Sequence, residues 1–267
     1  MNHKIALVTG ASSGIGLAIC HELAQLKYNL LLVSNDEIGL NNAKIVLDTK
    51  YRLNCIVYCE DLSRQDAAKN IFDFCTKNNL DIEVLINNAG ILVFSEIAFA
   101  KDTDVSKILQ LHINTPTFLC NYFSKEMVKN KKGYILNVSS ISAVMPYPFI
   151  SLYGPSKTYM RYFTRALRTE LNPHNVFVTC LMPGATATAL YDPAKVNIQL
   201  AKKFRVMHTP EYVASCAMNS LFKNQALCIS GIMNKLIIFI FPFIPNFIIS
   251  LLYNYTSIFK KGEVSLS

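Results

Sequence analysis

Seven short runs rich in Val, Ile and Leu punctuate this chain, and longer amphipathic stretches separate them. The runs are KIALVTG (4–10), NLLLVS (29–34), CIVYCE (55–60), EVLINN (83–88), YILNVS (134–139), VFVTCLM (176–182) and ALCIS (226–230). Helical patterns lie between them, at 15–27, 64–78, 105–129, 155–171 and 210–222. The runs show little polar alternation, so neither face of the sheet they form meets water. Strand and helix in regular turn predict an α/β fold, a doubly wound parallel sheet of about seven strands with helices on both faces.

A chain of 267 residues, 51% of them hydrophobic, can bury a sizeable core. No fixed-period repeat or Gly/Ser linker divides it. The expected organisation is one domain over 1–232 and an apolar helical C-terminal extension over 233–267. Within that extension, KLIIFIFPFIPNFIISLLYNY (235–255) is interrupted by Pro242, Pro245 and Asn246. Its unbroken apolar part, 236–241, is far shorter than the roughly 20 residues a membrane span needs. The prolines imply two short helices. Packing on the domain or on a second subunit is the plainer reading of this segment. Interfacial docking on a membrane, with Lys235, Lys260 and Lys261 as flanking cations, is its rival.

The formal charge is +8, but Lys and Arg are scattered and no basic run is interleaved with aromatics. That argues against a nucleic-acid partner; an anionic cofactor and a basic tail account for the charge. Eight cysteines lie singly along the chain. Cys55 and Cys59, the closest pair, would sit about 13 Å apart on a strand, too far for a disulfide. No metal-type spacing occurs. The cysteines therefore read as reduced core residues, and MNHKIALVTG contains no secretory h-region. A cytoplasmic location follows as the expectation, with a peripheral membrane site as its variant.

TGASSGIG (9–16) follows the first strand and opens the first helix. Gly10, Gly14 and Gly16 permit a tight turn and close approach of a ligand to backbone. Ser12, Ser13 and Ile15 complete the turn, and the helix N-terminus beyond offers free N–H groups to a pyrophosphate. The spacing is G-x-x-x-G-x-G. It resembles the short-chain dehydrogenase/reductase family, and further strings agree in order: EDL (60–62), NNAG (87–90), PGATAT (183–188) and HTPEYVA (208–214). The resemblance covers about 4–235 and implies a Rossmann-like fold binding NAD(P)(H). It places Asp61 and Leu62 against the adenine, Asn88, Ala89 and Gly90 along the cofactor, and Pro183, Gly184, Thr186 and Thr188 near the nicotinamide. A dimer or tetramer is likewise implied. GIMNKL, from 231, is similar to the extended C-termini of bacterial reductases of the 3-oxoacyl and hydroxysteroid type.

Tyr153 and Lys157 are separated by four residues and so share one helical face. Pro155 between them falls in the first turn, where its missing N–H costs no intrahelical bond. A tyrosine is a poor base at neutral pH, but a nearby ammonium favours its phenolate and suits it to acid–base work. The resemblance makes Tyr153 the general acid/base and gives Lys157 a second duty on the nicotinamide ribose. Ser140, thirteen residues before Tyr153, is implied to hydrogen-bond the substrate oxygen. One departure stands out. Twenty-eight residues before the serine the family usually carries an Asn that holds a relay water; here His112 stands. It can hold that water, or be a core histidine with a backbone partner. Asn114 is rotated about 200° from it, to the opposite face.

Asn35, in VSNDE, occupies the place that decides between NAD and NADP, with Asp36 next. Neither an acid nor an Arg stands at that place, so both cofactor forms stay open. Loops 91–98, 141–150 and 189–207 would frame an apolar pocket for a lipid-like or aromatic ketone or alcohol. The expected function is carbonyl/secondary-alcohol interconversion with NAD(P)(H). The alternative is a nicotinamide-binding sensor or membrane-associated scaffold without turnover, motivated by His112 and the tail.

Overall fold

The structure, a computed structural model, describes residues 4–144, 148–187 and 207–255. Met145, Tyr147, Thr188, Leu190 and Tyr191, which the sequence reading places at the site or its pocket, lie outside the described residues. Each apolar run forms a strand: β1 (Ile5–Thr9), β2 (Asn29–Ser34), β3 (Ile56–Cys59), β4 (Ile82–Asn87), β5 (Gly133–Val138), β6 (Val176–Met182) and β7 (Leu227–Ile229). They make a single parallel sheet in the order β3-β2-β1-β4-β5-β6-β7. The inner strands are nearly solid Val, Ile and Leu because helices cover both faces. Two apolar clusters result. One packs Ile19, Leu23 and Val213 against Ala6, Leu30 and Leu32, and the other packs Ile71, Leu119 and Phe123 against Leu7, Leu31 and Leu85.

The helices are α1 (Gly14–Gln25), α2 (Glu37–Tyr51), α3 (Ala67–Lys77), α4 (Asp102–Leu109), α5 (Thr115–Lys129), α6 (Tyr153–Leu171), α7 (Pro210–Phe222), α8 (Ile232–Ile240) and α9 (Asn246–Tyr255). Two differ from the sequence reading. Helix α2 was not singled out there. It is capped by Asp36, whose Oδ1 accepts from the Gly39 N–H at 3.0 Å, and it buries only Leu40, Ala43 and Leu47. Its other aliphatic residues, Ile38, Ile45 and Val46, are exposed, so the apolar positions form no clear stripe. The single helix expected over 105–129 is instead α4 and α5 joined by a turn of π-helix, Gln110–Asn114. The wider turn carries His112 inward, while Asn114 stays exposed and bonds Gln110.

The strand order reverses direction between β1 and β4, so the chain leaves the C-terminal ends of these neighbours on diverging paths. That switch point opens a crevice where α/β sheets place ligands. The extension forms two short helices broken at the prolines, as the sequence implies, with a 3-10 turn at Phe241–Phe243 between them. The boundary expected at 232/233 falls at the first residue of α8. Six of the eight cysteines are buried as expected; Cys59 is exposed on edge strand β3 and Cys216 is half-buried.

Candidate active site

The crevice is a cleft of about 580 Å³. Its floor is the turn after β1. Gly10 takes φ +66°, a left-handed conformation that side chains rarely adopt, and a Cβ there would meet Asn88 Nδ2 at 2.8 Å. Gly16 serves packing instead: a Cβ on it would run into the Gly10 carbonyl, and it does not line the cleft. Ser12, Ser13, Gly14 and Ile15 do. Ser13, the N-cap of α1, makes no side-chain cap bond, and the first turn carries no acid. The helix N-terminus is thus left open toward an anion.

Asn88 Nδ2 donates to the Thr9 carbonyl at 2.9 Å, lashing the end of β4 to the glycine turn. Thr9, which opens the TGASSGIG string but is not among the expected site residues, does more. Its Oγ1 donates to the Ile86 carbonyl and accepts from the N–H groups of Asn88 and Ala89. A hydroxyl at the strand end, directly before the first glycine of the turn, is the signal the sequence offers for it. Ala89 and Gly90 continue the wall. On one side lie Ser34, Asn35, Asp36, Asp61 and Leu62. Asp61 accepts from the Ser63 N–H and hydroxyl, and these bonds hold its carboxyl below the usual range. On the other lie Pro183, Gly184 and Thr186.

Ser140, Tyr153 and Lys157 line the same cleft. Tyr153 is the first residue of α6, and Pro155 sits in that first turn without breaking the helix. Lys157 Nζ lies 5.7 Å from the Tyr153 ring centre and donates to the Val138 carbonyl at 3.1 Å. Burial pushes its ammonium down to about 8, with the Cys180 thiol pulling weakly the other way. Ser139 Oγ donates to the Lys157 carbonyl at 2.7 Å, pinning α6 to the end of β5. Ser140 Oγ accepts from the Ser142 N–H at 3.1 Å.

His112 is buried beside this group. The Ile91 N–H donates to its Nε2 at 3.0 Å, so that nitrogen carries no proton. In the neutral ring Nδ1 then carries it and donates to Ser156 Oγ at 2.9 Å. The Ser156 hydroxyl in turn donates to the Tyr153 carbonyl at 2.7 Å. Burial, then the charge of Lys157, holds the imidazolium form well below its ordinary pKa. Of the two readings left open, the geometry favours the core histidine, with one backbone and one side-chain partner. Both ring nitrogens are engaged by protein.

A profile of the short chain dehydrogenase family matches residues 4–198. The chain belongs to this family. Among short-chain dehydrogenase relatives, hydroxysteroid dehydrogenase-like protein 1 of Gallus gallus is 29% identical over 218 residues, 81% of this chain and 65% of that protein. The 11-beta-hydroxysteroid dehydrogenase-like 3 of Arabidopsis thaliana is 33% identical, over 71% of this chain and 61% of that protein. The very-long-chain 3-oxoacyl-CoA reductase of Mus musculus is 30% identical, over 69% and 60%. The chain thus spans under two thirds of the length of these relatives. Solved structures agree on the fold. A 7beta-hydroxysteroid dehydrogenase superposes with TM-score 0.82 at 23% identity, covering 88% of this chain and 90% of that one. A Sphingobium yanoikuyae short-chain dehydrogenase in complex with NADPH gives 0.79 at 23%, covering 86% and 88%.

Proposed function

We propose that this chain is an NAD(P)(H)-dependent oxidoreductase that interconverts a carbonyl and a secondary alcohol on an apolar, lipid-like substrate. The observation that carries the reading is the Tyr153–Lys157 pair, one helical turn apart on α6, lining one cleft with Ser140 and the glycine turn. The cleft residues suit a dinucleotide. Backbone at Gly10–Ile15 would receive the pyrophosphate, Asp61 and Leu62 the adenine end, and Asn88–Gly90 with Pro183, Gly184 and Thr186 the nicotinamide end. When bound, the nicotinamide supplies or accepts the hydride.

The chain's own residues handle the proton. Tyr153 Oη gives its proton to the carbonyl oxygen during reduction and takes it back during oxidation. The Lys157 ammonium stabilises the phenolate so formed, and the Ser140 hydroxyl orients the substrate oxygen. His112 acts as a brace: through Ser156 it fixes the first turn of α6, and through Ile91 it fixes the loop after β4. The lipid-like substrate rests on Ile91 and Leu92 in the cleft wall, on Phe94 stacked at 5.3 Å on Phe149, and on relatives named for hydroxysteroids and 3-oxoacyl-CoA.

The test is turnover of NADH and NADPH with medium-chain ketones and 3-oxoacyl thioesters, beside nicotinamide fluorescence for binding. Tyr153→Phe is expected to bind nucleotide normally and to lose about 10²- to 10⁴-fold in kcat. Binding without turnover of any carbonyl, unchanged by Tyr153→Phe, would instead establish a nucleotide sensor.

A further inference from the structure

Helix α8 has two faces of opposite character. Inward, Asn234 is buried, donates to the Ser230 carbonyl and lies against Gly184. Ile238 packs against the small buried cluster of Ala143, Cys180 and Met182. This face therefore backs the cleft wall that Pro183 and Gly184 form. Outward, Ile232, Met233, Leu236, Phe239 and Ile240 occupy an arc of about 120° at 100° per residue. They are strongly exposed, Ile232 at 79% and Phe239 at 77%. Phe243, Phe247 and Leu251 continue the apolar surface through the 3-10 turn into α9, with Phe243 at 78% and Phe247 at 70%.

Single exposed apolar residues need no explanation, but eight along twenty residues make a surface built to be covered. Its charge selects the cover. From Gly231 to Gly262 the sequence contains no Asp or Glu, while Lys235, Lys260 and Lys261 are present. Lys235 is exposed at the edge of the apolar arc, where a long stem can lie along the surface and carry its ammonium outward. Two such faces brought together as copies would oppose cation to cation, whereas an anionic lipid surface pairs with them. Helices of nine and ten residues, about 14 and 15 Å long, are too short for a bilayer core of about 30 Å. Among the described residues no helix is long and apolar enough to cross a membrane.

We propose that the outer face of α8 and α9 docks in the interface of an anionic lipid membrane, and that α8 links the docked surface to the wall of the cleft. The docking itself stands independently of the proposed redox activity. The statement that docking serves delivery of a lipid-like substrate rests on that activity.

The test uses the full chain in flotation with vesicles of phosphatidylcholine alone and of phosphatidylcholine with phosphatidylserine. The wild type is expected to float with the anionic vesicles, less so at high salt, and Lys235→Glu is expected to weaken this binding severalfold. Phe239→Glu with Phe243→Glu, two exposed sites whose replacement spares the core, is expected to weaken it at least about tenfold. Circular dichroism and nucleotide binding should be retained by that variant. Vesicle binding unaffected by the double substitution would overturn the proposal. So would a wild type that ignores vesicles but forms a dimer which the same substitutions dissociate. If docking holds, turnover of a long-chain ketone embedded in vesicles falls in the double variant while a short soluble ketone is turned over as before. Equal loss on both ketones would remove the delivery statement and leave the docking result intact.

Discussion

At the scale of single residues, two buried bases each make stability depend on pH. The Lys157 ammonium is held down at about 8, against 10.5 for a free lysine. Between these values the unfolded chain binds a proton that the folded chain does not, so stability rises with pH across that window. Lys157→Met removes the effect. The stability of wild type minus variant, from urea unfolding without nucleotide, should therefore climb by about 3 kcal/mol between pH 8 and pH 10.5. His112 gives a signal in acid. Its folded form is neutral and its proton affinity is depressed by burial, so its contribution is complete above the ordinary value of 6.5 and is lost as pH falls below it. Relative to His112→Asn, the wild type should lose up to about 1.4 kcal/mol per pH unit below that point. A flat difference would mean that the ring takes up a proton in place and is not locked between Ile91 and Ser156. These bonds were beyond the reach of sequence reading. One partner is a backbone N–H twenty-one residues away and the other a serine forty-four residues away, and neither leaves a local pattern.

Elements tell a different story, because most of them announce themselves. Each strand was legible from a mostly apolar run, since burial of the inner strands on both faces removes regular polar alternation. The shared face of Tyr153 and Lys157 followed from helical spacing, and Pro155 in the first turn of α6 explains how a helix breaker coexists with them. Pro155→Ala should accordingly move stability by no more than about 1 kcal/mol in urea unfolding, since no native hydrogen bond depends on the missing N–H. The glycine turn should be far less forgiving. A side chain at Gly16 collides with the Gly10 carbonyl, a backbone group with nowhere to retreat. Gly16→Ala is expected to weaken nucleotide binding more than tenfold and to cost more than about 2 kcal/mol in unfolding free energy. What remained hidden were elements that depend on exceptions. The π-turn at Gln110–Asn114 is a local widening of one helix just before Pro116, whose missing N–H marks an interruption in LQLHINTP without specifying the form it takes. Helix α2 spreads its apolar positions over buried and exposed faces alike, with Ile38, Ile45 and Val46 in solvent, and so lacks a stripe to stand out by.

The whole molecule joins these parts through helix α8. The order of motifs along the chain made the sheet and most of the cleft readable, because the glycine turn, EDL, NNAG and PGATAT each close or follow a strand of one parallel sheet and so share its C-terminal edge. The sequence left the tail suspended between packing and docking, and the fold separates these into two faces of one helix. That separation makes opposite predictions for neighbouring residues. Asn234 faces inward and satisfies the Ser230 carbonyl beside Gly184. Asn234→Leu removes that donor from a buried site, and the unpaired carbonyl should cost about 1–3 kcal/mol. For a chain of this size that is a fall in Tm of roughly 2–10 °C. Because Gly184 lines the cleft, nucleotide affinity should drop with it. Phe239, five residues on, faces outward, so Phe239→Ser should leave Tm within about 2 °C and nucleotide affinity unchanged. Calorimetry with and without nucleotide separates the two. Equal destabilisation by both substitutions would mean that the outward face is packed on protein in solution, and the two-faced reading of α8 would fail.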